Sequence, residues 1–237
     1  MSKKYKGKTC VYCAVEKSTG PDHVIAREFF PKDKRGNLPK VPSCSECNNT
    51  KAKLEHYATA ILPFGSKHEN AEEMLKGATA KRLNKNIKLK KELKSEMGEI
   101  WVESSSSLTL PSITIPVKGD KLTQLFQMII KGLYYHNWQM IIPKDYFVEA
   151  YTVSLRGLLF FRDKMLLKAP SNFIQNILGN GVFHYKCTRG NGDPGISAWE
   201  MFFYNGVMIT GEKNELVYCC GLSGPETVRH TTRIFKQ

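Results

Sequence analysis

The chain has 237 residues, of which 41% are apolar and 24% charged; these values are typical of a globular protein and exclude global disorder. We expect a cytoplasmic protein outside the membrane, because no stretch approaches the roughly 18 apolar residues of a spanning helix and no apolar signal core follows the basic residues 1–6. The net charge of +13 favours a polyanionic partner, most often nucleic acid, with an anionic membrane surface as the rival.

Residues 1–65 form the first of three regions and are dense in proline, lysine and asparagine. The pattern predicts short strands over residues 22–26 and 36–41, joined by a polar loop. After Cys47 apolar residues recur at spacings of three and four, which predicts a helix that ends at Pro63 and Gly65. The members of that apolar face are Leu54, Tyr57, Ala58, Ile61 and Leu62. The predicted order is therefore strand, strand, helix.

Residues 66–118 form a basic, partly helical connecting region, with a possible edge strand over residues 109–115. Residues 119–237 read as an α+β domain. In this domain Asp120 is the expected N-cap of a long helix, and strands are predicted at residues 182–187, 198–204, 207–210 and 216–220. The apolar stripe of that helix contains Leu122, Leu125, Phe126, Ile129, Ile130, Leu133 and Tyr134. The fold class is thus α+β with an antiparallel sheet in the C-terminal domain.

Four of the seven cysteines form two Cys-x-x-Cys pairs: Cys10 with Cys13, and Cys44 with Cys47. A tetrahedral zinc site takes four soft ligands, which two such pairs supply from separated segments. In a chain without a secretion signal this spacing favours zinc over disulfides. We therefore predict a structural zinc ion that stabilises a region too small to hold itself by apolar burial. The remaining cysteines, which share no ligand spacing, are expected to be core thiols: Cys187, Cys219 and Cys220.

Polar residues that could act as catalytic groups or metal ligands lie between and just after the cysteine pairs. Asp22 and His23 fall on the first predicted strand, Asn37 on the second, and Asn48 directly follows Cys47 at the start of the helix. Together with the cysteines, this order resembles the HNH endonucleases, in the branch whose ββα-metal motif is held by four cysteines, a treble-clef-like arrangement. The resemblance covers about residues 10–57, a quarter of the chain, and does not extend further.

The resemblance implies a metal-dependent endonuclease that hydrolyses phosphodiester bonds, in DNA more than in RNA. The same resemblance implies that His23 is the general base and that Asp22 and Asn48 hold a catalytic Mg²⁺ or Mn²⁺. It also implies that Asn37 fixes the loop or the ring of His23. Physical chemistry agrees for His23, because an unperturbed histidine titrates near 6.5 and accepts a proton at neutral pH. Neighbouring side chains on a strand point to opposite faces, so Asp22 and His23 need either a local distortion of the strand or different tasks on two sides of the site. The resemblance implies different tasks. Some family members carry a further ligand where this chain has Ala52, which leaves two protein ligands for the cation.

Several alternatives stay open. Lys51 and Glu55 lie on the helix face of Asn48. Either Lys51 contacts a phosphate and Glu55 orients a ligand or His23, or the two form an exposed ion pair. In the basic run, Lys81, Arg82 and Lys85 either contact nucleic acid or form a solvated face.

The chain as a whole could instead be a non-catalytic, zinc-dependent nucleic-acid-binding module, or an interaction protein built on the zinc fold. Asp22, His23 and Asn48 together favour the nuclease. Restriction or phage defence is the implied setting, and the C-terminal domain is a candidate surface for a protein partner or a homo-oligomer.

Overall fold

The computed structural model describes residues 4–66, 68–103, 109–115, 117–208 and 216–229. Within them the chain is mixed helix and sheet. The first strands and helices are β1 (Gly20–His23), β2 (Lys40–Ser43), α1 (Ser45–Ile61), α2 (Glu69–Met74), α3 (Ala80–Lys85), α4 (Ile87–Glu96), β3 (Gly98–Glu103) and β4 (Thr109–Thr114). The later ones are α5 (Gly119–Trp138), β5 (Tyr146–Val153), α6 (Leu155–Lys164), β6 (Ile174–Leu178), β7 (Phe183–Arg189), β8 (Ser197–Phe203), β9 (Val207–Met208) and β10 (Leu216–Pro225).

The predicted order of strand, strand, helix at the N-terminus is confirmed, but both strands are shifted from their predicted positions. β1 and β2 pair antiparallel, with Pro21 opposite Pro42 and His23 opposite Lys40. Proline has no N–H to donate, so this two-stranded ladder stays short. The chain leaves β1 after His23, and residues 24–26 are buried outside any strand. The helix α1 ends at Ile61 and is followed by a 3-10 turn through Pro63 and Gly65, as predicted.

The C-terminal half is built on an antiparallel sheet with the order β5-β10-β8-β7-β6, and β9 pairs with β10. The predicted strands correspond to β7, β8, β9 and β10, although residues 209–210 of the third lie outside the described residues. The strands β3, β5 and β6 and the helix α6 were not predicted from the sequence. The strand predicted at residues 109–115 is confirmed as β4, and it pairs with β3.

The long helix α5 packs against one face of the sheet and α6 against the other. A Cβ at Gly221 would lie 2.2 Å from Cδ1 of Ile130, so the glycine allows α5 to approach β10 closely. On the opposite face, Leu158 and Phe161 of α6 join a separate cluster with Leu222. The whole predicted stripe of α5 is buried. Its N-cap is Lys118 rather than Asp120, which lies within the first turn.

The main hydrophobic core includes residues from all three predicted regions. Val24 from the first, Leu89 from the second and Trp199 from the third belong to one cluster. Hydrogen bonds cross the same boundaries, since the Tyr204 hydroxyl donates to the Phe29 carbonyl at 2.7 Å. The boundaries at residues 65 and 118 therefore stay predictions. Among the described residues, no helix combines the length and apolar character needed to cross a membrane.

Candidate active site

The two Cys-x-x-Cys pairs converge on one point. The sulfur atoms of Cys10, Cys13, Cys44 and Cys47 all lie within 4.8 Å of one another. Since a zinc–sulfur bond is about 2.3 Å long, this spacing suits four thiolates around one ion. The four cysteines thus form a candidate metal site, as predicted. The other three cysteines are buried in the sheet, also as predicted: Cys187, Cys219 and Cys220.

Local backbone hydrogen bonds and a turn orient the sulfur atoms of each pair toward the common point. In the first pair the N–H of Cys10 donates to the Glu16 carbonyl at 2.8 Å, and Ala14 turns the chain with a φ of 57°. In the second pair Cys44 is the N-cap of α1, and its sulfur accepts from the N–H of Cys47. Because the metal ligands begin the helix, an ion bound there would fix α1 against the N-terminal turn.

The carboxylate of Asp22 lies on the side of β1 that faces the first cysteine turn and α1. Its Oδ2 accepts a hydrogen bond from the Tyr12 hydroxyl at 2.6 Å and lies 3.1 Å from the ammonium of Lys51. No hydrogen bond reaches Oδ1 within the part of the chain that the structure describes. Oδ2 is therefore held in place by two partners, and the Asp22 side chain as a whole is 12% exposed.

The structure corrects both alternatives for Lys51. Its side chain is fully buried, with 0% exposure, so it contacts no phosphate here, and its ion pair with Glu55 is internal rather than exposed. Its ammonium also donates to the His23 carbonyl at 2.7 Å. Burial raises the pKa of Glu55 to about 7, although the nearby Lys51 opposes the rise. Lys51 thus joins α1 to β1 at the candidate site.

Replacing Lys51 with methionine should destabilise the protein by about 3–5 kcal/mol, because Asp22 and Glu55 would lose a buried counter-ion. Urea unfolding of the zinc-loaded protein measures this, and Lys53→Met on the exposed side of α1 is the matched control. Equal unfolding midpoints for the two variants would show that the buried ammonium contributes nothing.

The two asparagines of the predicted site have different positions. Asn48 lies in the first turn of α1, where its N–H donates to the Cys44 carbonyl at 3.0 Å and its side chain is exposed. No contact between Asn48 and Asp22 is found among the described residues. Asn37 is not on a strand, which corrects the prediction. It lies in an exposed turn before β2 with a φ of 55°, a left-handed conformation that asparagine tolerates better than most residues.

His23 is half-buried at the wall of an open cleft of about 530 Å³. Asn37 and Lys40 line the same cleft. Partial burial lowers the pKa of His23, and the cations of Lys40 and Arg27 lower it further. The imidazole is therefore neutral at neutral pH and is able to accept a proton.

The predicted basic contacts beyond this site lie on α3, and none of them lines the cleft. Lys81 and Lys85 are exposed, whereas Arg82 is half-buried and its guanidinium lies 3.4 Å from the Thr59 carbonyl oxygen. Their contact with nucleic acid stays a prediction. Two other features carry no signal in the sequence. They are the hydrogen bond from the Tyr12 hydroxyl to Asp22, and the end of α5 at the cleft, where Tyr135 and His136 contribute to the lining.

Comparisons of the chain with protein-family models, with curated proteins and with solved structures found no match. The likeness to HNH nucleases therefore rests on the residues of this chain and on their positions.

Proposed function

We propose that this protein is a metal-dependent endonuclease that hydrolyses phosphodiester bonds, in DNA more than in RNA. The observation that carries the proposal is the position of Asp22 and His23 at the end of β1. Asp22 turns toward α1 and the cysteine cluster, while His23 faces a basic cleft. A pure zinc-binding module has no need for both groups in these positions. Metal-dependent cleavage of DNA by the purified protein tests the function.

In the proposed reaction His23 accepts a proton from the attacking water. General base catalysis requires a neutral imidazole, and the lowered pKa of His23 supplies one at neutral pH. Its backbone carbonyl accepts a hydrogen bond from Lys51 at 2.7 Å, so the strand that carries the ring is fixed to α1. The cleft is open to solvent, which gives both water and a phosphodiester access to the imidazole.

Asp22 and Asn48 would hold the catalytic Mg²⁺ or Mn²⁺. A carboxylate and an amide oxygen are hard donors that fit such a cation. When bound, the cation would stabilise negative charge on the leaving oxygen. Tyr12 and Lys51 both engage Oδ2 of Asp22, which orients the carboxylate, and no described residue makes a hydrogen bond to Oδ1. The four cysteines would hold Zn²⁺ with a structural role, since four thiolates leave no open position for substrate.

Removing the charge of Lys40 should move the acidic limb of the pH–rate profile to higher pH. The cation of Lys40 lowers the pKa of His23, so Lys40→Ala raises that pKa, and the base becomes protonated earlier as the pH falls. Cleavage rates of the wild type and the variant across the acidic range measure the shift, with Lys81→Ala on α3 as control. An unchanged acidic limb in Lys40→Ala would argue against His23 as the titrating base.

A non-catalytic, zinc-dependent nucleic-acid-binding module is the second candidate, and one observation favours it. The ammonium of Lys51 lies 3.1 Å from Asp22, and a cation so close weakens the attraction of that carboxylate for a metal ion. The carboxylate of Glu55 offsets this charge, because it pairs with the same ammonium. Nucleic-acid binding without cleavage under any divalent cation would select the binding module. Restriction or phage defence stays a prediction from the resemblance alone.

A further inference from the structure

The cleft beside His23 has two walls that come from distant parts of the chain. One wall belongs to the N-terminal segment and to the turn before β2, and the other to the C-terminal end of α5. The polar and aromatic lining residues other than His23 and Asn37 are Lys4, Tyr5, Lys8, Arg35, Lys40, Tyr135, His136 and Gln139. The region beyond residue 118 thus contributes directly to the candidate active site.

The end of α5 is held firmly against the N-terminal region. The ammonium of Lys131 donates to the Tyr12 carbonyl at 2.9 Å. A Cβ at Gly132 would lie 2.7 Å from Cγ1 of Val24, so the glycine permits close packing of the helix on the segment after β1. The side chain of Gln139 donates to the carbonyls of Tyr135 and His136, which closes the last turn. The second wall is therefore a fixed surface.

The chemistry of the lining suits an anionic, aromatic ligand. The charged side chains among the described lining residues are all basic, from Lys4, Lys8, Arg35 and Lys40. Cations of this kind attract the phosphates of nucleic acid. Aromatic rings beside such cations are the platforms on which unpaired bases stack, and the cleft offers one half-buried tyrosine from each wall, Tyr5 and Tyr135.

The size of the cleft argues for an unpaired strand. A cleft of about 530 Å³ falls in the range that holds one small molecule, roughly 300–1,000 Å³, so it takes one or two nucleotides. The bases of an intact duplex are already stacked on one another, so they present no free face to a tyrosine. We infer that the cleft binds single-stranded nucleic acid, with a base stacked on Tyr135 and the backbone phosphates on Lys8, Arg35 and Lys40. This inference rests on the proposed function, because it assigns the substrate class of the same site.

Fluorescence anisotropy tests the inference with zinc-loaded protein and no added Mg²⁺ or Mn²⁺, so that binding is measured without cleavage. The probes are a fluorescein-labelled single-stranded DNA, an RNA of the same sequence, and the DNA duplex. We expect at least one single strand to bind about tenfold more tightly than the duplex. Tyr135→Leu, which keeps apolar packing but removes the flat ring, should weaken that binding about tenfold, whereas Tyr135→Phe should retain it.

Lys40→Ala should weaken binding to every probe and reduce the salt dependence, because a phosphate contact is lost. Lys164→Ala is the matched control and should bind like the wild type, because Lys164 is exposed on α6, on the other face of the sheet from α5. Duplex binding as tight as that of both single strands, or unchanged binding by a folded Tyr135→Leu variant, would overturn the inference. Strong single-strand binding without cleavage would instead count against the endonuclease alone, so the two failures are distinguishable.

Discussion

His23→Ala should lower the DNA cleavage rate by at least about a hundredfold, because a positioned general base contributes roughly 10²–10⁴ to such a reaction. The imidazole faces the open cleft, and its loss leaves no other proposed group to take the proton of the attacking water. The zinc content and melting temperature should change little, since the side chain is only half-buried. Initial rates on a circular DNA at saturating Mg²⁺ or Mn²⁺ measure the effect.

His56→Ala is the matched control for this variant. His56 is exposed on α1 and does not line the cleft, so its removal should leave the rate unchanged. If folded His23→Ala kept cleavage within a few-fold of the wild type, another group would have to act as the base.

Cys47→Ser should remove the bound zinc and unfold the start of the chain. Structural zinc sites contribute roughly 10–16 kcal/mol of binding free energy in isolated zinc-finger peptides, and this ligand belongs to the first turn of α1. Even a partial loss of several kcal/mol should lower the melting temperature by roughly 10 °C in a chain of this size. Zinc per chain and the melting temperature, determined on the same preparation, measure both effects.

Cys220→Ala provides the control for zinc content, because Cys220 is buried in β10 far along the sequence and is not one of the clustered cysteines. It should retain one zinc per chain. A Cys47→Ser protein with a full zinc ion and an unchanged melting temperature would show that the four-cysteine cluster is not the metal site.

The cysteine cluster and the strand, strand, helix order could be predicted because their signals are local. Two Cys-x-x-Cys turns, a short apolar stripe and a terminating Pro63 lie within stretches that the sequence shows directly. The strand limits were wrong by two to four residues because the chain turns into the core after His23 and residues 36–37 form a turn before β2. Asn37 was misplaced for a related reason, since its left-handed turn delays the start of β2.

The burial and the contacts of Lys51 could not be predicted from its spacing to Glu55. An exposed pair, a phosphate contact and a buried counter-ion all fit a separation of four residues. Burial depends on Asp22 and Tyr12, which lie far away in sequence and close the space around the ammonium. The second wall of the cleft was missed in the same way, because it forms only when α5 packs on the segment after β1.

Cleavage of nucleic acid by this chain should depend on a divalent cation. The most direct measurement incubates zinc-loaded wild-type protein with a supercoiled plasmid and with a circular single-stranded DNA, each with and without added Mg²⁺ or Mn²⁺. We expect linear or nicked products only when the cation is present. Intact circles under every condition, from a folded protein that still binds the DNA, would contradict this expectation and identify a binding module.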